Sequence, residues 1–566
     1  MNIRKTILRF LVVFFFIGSS IPLAAQTKGL KAISAEDMKP YLKFLGSKEF
    51  RGRNAPSAEL NIASRYIALV AERIGLKPLM PNGSYYQDVP VEVTTISAAK
   101  SYLRIMGEAG EQRYYFPQAF TTNIRTAGEW TAAGGLVFLG SAVNGANPNP
   151  EAFADVDLRG KICVYLDIPR PVEASGQRST MSGILPAGWS RILREKGALG
   201  FVTIIGRERE NNLAQKGLTF DVSERLRFLD VETTNPRPPA TSQAAPAPQI
   251  AAPSQAPAAP ASPFYTVEVR HEAGASILGV SRTELDKMFE TIAQGQQLPA
   301  KNLEGKTLEV AVFFQQRKEA TPNVVAYLPG SDPKLKEEYV VIGSHHDHLG
   351  VREARIFPGA DDNASGAVAM LEIAKALLIE RPKRSVIFVW HTAEEKGLIG
   401  AYYFVQHSPV PVEKISANLN LDMIARNDPN GIYLIGSNKV STELDKSIHA
   451  MNDRSIHLKL DYKFEDPGHP DRFFFRSDQY PYIRYGIPGV WFFCGTTEDY
   501  HQETDVEEKA DYKKMEKVTK LVYLVAMDIG NKPGLLKLDV NPDITSRGKY
   551  NMKIVWQRPP APPQKR

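Results

Sequence analysis

Eight acidic and basic side chains recur at comparable positions along the second half of the chain. His345 and Asp347 follow the apolar run YVVIGS, and Asp361 and Asp362 sit in PGADDNASG, just ahead of a helical pattern. Glu394 and Glu395 follow VIFVWHTA, Asp422 ends ANLNLDM, and His501 lies in DYHQETD after VWFF. Two imidazoles with several carboxylates and no thiolate form a nitrogen–oxygen donor set, which suits zinc, with manganese or cobalt as chemical alternatives. Four or more acids in one cleft would repel one another and drive their pKa values up unless cations were present. Two divalent ions remove that difficulty, with one carboxylate bridging them at roughly 3.5–4 Å separation to activate a water jointly.

Taken singly, each residue has a plainer explanation. Asp362 or Asn363 could be a helix N-cap, and a lone Glu after a strand usually faces solvent. His346, His348 and His391 read as surface or packed histidines and receive no role, nor do His407, His449, His457 and His469. The plain readings lose because the candidates fall repeatedly at strand ends, where ligands collect in an open α/β sheet.

The elements that would position these residues follow from hydrophobic periodicity. Strands are expected at Asn323–Leu328, Tyr339–Ser344, Ser385–His391, Ala417–Met423, Gly431–Ile435 and Gly489–Phe493, and helices at Ser365–Ile379, Thr442–Met451 and Asp511–Asp528. Near-continuous apolar strands such as VIFVW imply a sheet buried on both faces, and strand–helix alternation implies a mostly parallel mixed α/β sheet flanked by helices. Nearer the N-terminus, Ser34 should cap a short helix, and Ser57–Ile74 should form a longer one stopped by Gly75. From about residue 90 to 204, short alternating segments punctuated by Gly and Pro read as a smaller β-rich unit. Residues 235–263 are rich in Ala and Pro and read as a solvated loop, as does the tail RPPAPPQKR.

Arg4, Lys5 and Arg9, the apolar run Phe10–Ile17 and small residues up to Ala25 have the layout of a secretory signal peptide, which implies a periplasmic or secreted protein. The run is short for a bilayer span, and no integral membrane segment is expected after cleavage. Removing residues 1–25 takes three basic and no acidic residues, lowering the formal charge from +6 to +3, which is no argument for nucleic acid binding. Cys163 and Cys494 exclude a disulfide-dense scaffold and read as small buried apolar residues.

SHHDHLG, PGADDNASG, TAEEKGLIGA, NLDMIAR and DYHQETD, in this order, resemble the co-catalytic di-zinc exopeptidase family, the group of bacterial leucyl aminopeptidase and plasma glutamate carboxypeptidase. The resemblance covers about residues 320–530, and FRGR…YIALVAERIGLKP…GSYYQDVPV adds to it. It implies the zinc exopeptidase fold and two zinc ions. Asp361 would bridge them, His345 and Asp422 would complete one site, and Glu395 and His501 the other. Glu394 would be the general base, and Asp347 would orient the His345 imidazole. A cis peptide is expected after the bridging residue, at Asp361–Asp362. GGLVFLGSA, LRGKICVYL and KGALGFVTI resemble an inserted protease-associated domain. The expected organisation is a signal peptide at 1–25, the first part of the peptidase domain at 26–124, the insert at 125–280, the di-zinc peptidase domain at 281–535 and an extension at 536–566. Gln479, Cys494 and His346 depart from the residues common in the family, which bears on pocket shape. The implied activity is hydrolysis of peptide or protein substrates at a chain end, foremost as an aminopeptidase. A carboxypeptidase or dipeptidase of the same fold is the alternative, ahead of a glutaminyl cyclase or a noncatalytic binding protein.

Overall fold

The computed structural model describes residues 23–108, 110–124, 129–141, 156–168, 189–222, 224–228, 264–466, 468–540 and 547. The expected leader, apart from Leu23–Ala25 at the start of a helix, the Ala/Pro-rich stretch 235–263 and the tail lie outside the described residues.

Four apolar strands pair in parallel at the centre of the larger sheet: Ser385–His391, Tyr339–His345, Ile415–Leu421 and Gly489–Phe493, in that spatial order. Every residue of these strands is buried, as expected for a sheet covered on both faces. The period of two divides them between two cores. Val340, Ile342, Phe388 and Leu419 face the helices Ala35–Leu45, Ala58–Ile74, Gly366–Ile379 and Tyr512–Asn531, while Val341, Ile387 and Val389 face Phe404 and Tyr482. The flanks are mainly antiparallel. Phe314–Leu328 pairs with Ser385–His391 on one side and Tyr86–Ile96 on the other, and Gly431–Ile435 pairs antiparallel with Gly489–Phe493. The sheet is therefore mixed, with parallel pairing concentrated where crossover helices return the chain.

Local signals fix the helix ends. The Ser34 hydroxyl accepts the Asp37 N–H, the Ser57 hydroxyl accepts that of Leu60, and Gly75 closes the second helix at φ 110°. Ser281 and Glu284 form a reciprocal capping box at Arg282–Ala293.

A second sheet has eight strands among the described residues, with Trp130–Phe138, Lys161–Leu166, Gly200–Ile204 and Tyr265–Val269 parallel at its centre. It also recruits Tyr102–Gly107, Gly110–Tyr115 and Lys301–Val312, so it reaches beyond both ends of the 125–280 span. The sheets meet where Ser97 N–H donates to the Phe313 carbonyl at 2.8 Å. Arg209 and Asp221, on the second sheet's side, hold Glu353 in the hairpin that follows His348: the guanidinium pairs with its carboxylate and Asp221 accepts its N–H. Cys163 and Cys494 are both buried free thiols.

One buried acid outside the candidate metal-ligand set makes a testable case. Glu465 is 1% exposed, and its carboxylate accepts the Gly436 N–H at 3.1 Å. Burial pushes its pKa from 4.5 to about 7, against the opposing pull of Lys439. The folded state therefore holds a proton that the unfolded chain has lost, and stability falls as pH rises from about 4.5 through 7. Glu465→Gln, which keeps the acceptor without the charge, is expected to raise Tm by a few degrees at pH 8 and by less at pH 5. Equal shifts at the two pH values in thermal melts would contradict this.

Candidate metal centre

The carboxyl ends of the four parallel strands converge on one cleft. His345 is the last residue of its strand, Asp422 follows Leu421, Glu394 and Glu395 lie three and four residues past His391, and His501 comes from the loop after Phe493. The fifth contributor is the turn Ala360–Ser365 ahead of helix Gly366–Ile379. Gly359 makes this turn possible: it takes φ 63°, and a Cβ there would lie 2.1 Å from the Asp362 carbonyl oxygen. At or beside the cleft the non-glycine residues Ala393, Leu398, Met423 and His501 also take left-handed backbone. That conformation is uncommon outside glycine and tends to collect at functional sites.

Asp362 occupies the middle of the cluster. One carboxylate oxygen is 3.3 Å from His345 Nε2 and the other is 3.2 Å from His501 Nε2. His345 Nε2 is also 3.3 Å from Asp422 Oδ1, and His501 Nε2 is 3.3 Å from Glu395 Oε2. Two donor groups thus share one carboxylate. Glu394 lies beside the first, with Oε2 3.9 Å from His345 Nε2.

This geometry corrects the reading of the Asp pair. Asp361 turns inward instead: its carboxylate accepts Ala425 N–H at 2.8 Å and the Cys494 thiol at 3.4 Å. The cis peptide is correspondingly one residue later, at Asp362–Asn363. Adjacent residues in an irregular turn point in different directions, and no periodicity tells which of two aspartates faces the cleft.

His348 also belongs here, contrary to its reading as an ordinary histidine. Its Nδ1 lies 2.8 Å from Glu395 Oε1 and 3.8 Å from Asp362 Oδ2, and its ring meets the His501 ring edge-on. Both His348 nitrogens and Glu395 Oε1 are buried without a well-directed hydrogen bond. Orphaned donor atoms aimed at one another fit a cation, and His348, Asp362 and Glu395 form one compact group that could hold an ion, as do His345, Glu394 and Asp422. His346 and His391 are packed among protein atoms. His346 Nε2 is 2.8 Å from the Ser64 hydroxyl, and His391 Nε2 is 3.2 Å from that of Tyr482.

The supporting shell differs from expectation in one respect. His345 Nδ1 is held by the Asp347 backbone carbonyl at 3.1 Å, with the carboxylate 3.8 Å away. The Asp347 carboxylate instead accepts the backbone N–H groups of Glu394 and Glu395, at 3.0 and 3.4 Å. Ser477 donates to Asp422 Oδ2 at 2.6 Å, and Asp505 accepts the N–H groups of Asp361 and Asp362 at 3.0 and 3.1 Å. Arg53, 1% exposed, donates to the carbonyls of His346, Pro358 and Gly359, binding the two ligand loops together. Burial lowers its pKa to about 10, while Asp347, Asp505, Asp362 and Glu395 favour its charge. The sequence reading gives Asp362 and His348 no metal-ligand role, and Arg53 and Asp505 no role at all. The FRGR and DYHQETD motifs contained Arg53 and Asp505 without saying what either touched.

Electrostatics separates the two glutamates. Burial, reinforced by Glu395 and Asp422, raises the Glu394 carboxyl well above its ordinary range. Glu395 is buried too, but His501 and His348 hold it well below. Burial opposes the charge on His501, yet Glu395 and Asp362 carry its pKa up to about 10. Two carboxyls side by side with affinities driven apart suit one to move a proton and the other to remain an anionic ligand.

Residues 323–526 match the profile described as Peptidase family M28. The probable leucine aminopeptidase 2 of Aspergillus oryzae is 32% identical over 229 residues, covering 39% of this chain and 41% of that protein. The leucine aminopeptidase 2 of Trichophyton equinum is 31% identical over 228 residues, covering 37% and 42%. The chain thus spans about two fifths of the curated relatives it matches. A solved structure of a zinc aminopeptidase from Bacillus subtilis aligns over 91% of this chain and 99% of that one, with a TM-score of 0.50 and 16% identity, a likeness of fold. The stretch that matches the peptidase family M28 model, residues 323–526, is the one that carries the whole histidine–carboxylate cluster.

Proposed function

We propose that the protein is an exported zinc-dependent exopeptidase that removes residues from the free N-terminus of peptides. The observation that carries this reading is Asp362 set between two histidine–carboxylate groups, with Glu394 alongside. His345, Asp422 and one oxygen of Asp362 would hold one zinc ion. The other oxygen of Asp362, with Glu395 and His501, would hold a second, and His348 stands within reach of that group. Bound there, zinc supplies Lewis acidity toward a carbonyl and lowers the pKa of water.

The chain's own groups do the rest. Glu394 takes a proton from the attacking water and returns one to the leaving amine. Asp347, through the two backbone N–H groups, fixes where Glu394 and Glu395 point. Tyr500, in the cleft wall next to His501, is placed to donate to the developing oxyanion. Phe473, Phe475, Trp491 and Phe493 line the same cleft and offer an apolar surface to the side chain of the departing residue. The second sheet would be the protease-associated unit, tied to the ligand loop through Arg209 and Glu353. Export rests on the N-terminal leader pattern. Among the described residues, no helix is long and apolar enough to cross a membrane.

The test is product release from free and N-acetylated peptides, with zinc measured on the same sample. Stepwise loss from free N-termini, blocked by acetylation and by chelation, is expected. Cleavage indifferent to acetylation would instead indicate the carboxypeptidase alternative. Chelation is also expected to lower Tm, because removing the cations leaves the buried carboxylates repelling one another. An unchanged melt after complete zinc removal would count against ions at this cluster.

A further inference from the structure

Arg476 is the one arginine or lysine among the described residues that line the cleft, a wall it shares with Asp362, Glu394, Glu395 and Asp422. It is exposed and forms no ion pair within 4 Å among the described residues, whereas Arg426 pairs with Asp499. Its guanidinium lies over the Phe473 ring, 4.9 Å from the centroid, and donates from Nη2 to the Tyr500 hydroxyl at 2.7 Å. Stacked and tethered in this way, the planar fork is held in place while its other N–H donors stay open. Asp362, Glu395 and Asp422 would be engaged by the zinc ions and much of the remaining wall is aromatic, so Arg476 is the preorganised fork that can meet a substrate carboxylate bidentately outside the metal positions.

From this placement we infer that Arg476 is a specificity-determining residue that reads a carboxylate on the substrate, next to the scissile bond. The assignment rests on the exopeptidase reading. It narrows the substrate class to short peptides in which an acid lies within one residue of the cleaved bond. Three sources share this chemistry: the terminal carboxylate of a dipeptide, an acidic side chain just after the bond, or an acidic N-terminal residue. Tyr500 adjoins His501 and is itself held by Arg476, so the guanidinium is one side chain away from the ligand cluster.

The experiment measures kcat and KM of the zinc-loaded full chain on matched pairs. Leu-Leu against Leu-Leu-amide tests the terminal carboxylate. Leu-Glu-amide against Leu-Gln-amide tests the following side chain, and Glu-Leu-amide against Gln-Leu-amide tests the first. For one pair the acid is expected to have a kcat/KM about tenfold above its neutral partner, through KM, as one exposed charge-assisted contact supplies. Arg476→Met, which keeps the stem on Phe473 without the charge, should bring that ratio to about one. Arg476→Lys should restore part of it. Acid-to-neutral ratios near one throughout in the wild type, or a ratio that survives in Arg476→Met, would overturn the assignment. A fall in kcat alike on acid and neutral peptides, with the ratio intact, would reduce Arg476 to a brace for Tyr500 and overturn it equally. Failure to cleave any of the six peptides would sink the exopeptidase reading and this one together, whereas cleavage without discrimination sinks only the role of Arg476.

Discussion

Glu394→Gln is expected to leave the zinc content of the protein intact and to reduce kcat by about two to four orders of magnitude, the range of general acid–base catalysis. The amide has the same size and can accept the same backbone geometry at Asp347, but it cannot take up a proton. Two features make Glu394 the carboxyl that moves it. It lies 3.9 Å from His345 while Asp422 and Asp362 approach that imidazole to 3.3 Å, so it is offset from the closest ligand pairings. Its proton affinity is raised by burial and by neighbouring carboxylates, where that of Glu395 is lowered by His501 and His348. Zinc quantified alongside kcat on a leucyl peptide separates the roles. A variant that kept turnover within tenfold of wild type would remove Glu394 as the base, and one that lost zinc would make it a ligand.

The second large effect separates two neighbouring aspartates. Asp362→Asn should lose most of its bound zinc on dialysis, and activity should fall with it, because one carboxylate serves both histidine groups. Asp361→Asn should retain the metal. Its side-chain oxygen can still accept Ala425 N–H at its present place, so the expected cost is about 1 kcal/mol of stability from the weakened contacts to Ser365 and Cys494. Zinc-to-protein ratios and thermal melts of the pair decide the matter. Equal zinc loss in both variants, or loss confined to Asp361→Asn, would return the bridge to Asp361.

What was legible in the sequence was whatever carries a period or a cap. The apolar runs at 385–391, 431–435 and 489–493 became strands with the expected ends, and Ser34 and Ser57 begin helices where these were expected. These are local rules: side-chain alternation and hydroxyl capping are decided within a few residues. The gathering of His345, Glu394, Glu395, Asp422 and His501 followed from the same rules, since parallel strands deliver their carboxyl ends to one edge.

Tertiary structure alone decided the rest. Asp361 and Asp362 are chemically alike, and only the turn over Ala360–Ser365 sends one toward Ala425 and the other between the histidines. His348 joins the cluster because its loop folds back toward Glu395, from 47 residues away in sequence. Arg53 reaches carbonyls of His346 and Gly359 from about three hundred residues away, and Arg476 becomes the cleft's cation only because Phe473 and Tyr500 hold it there. Sequence patterns report which face of an element is apolar. Where a side chain in an irregular loop points is fixed by backbone dihedrals and by partners from distant segments, and these exist only once the chain has folded.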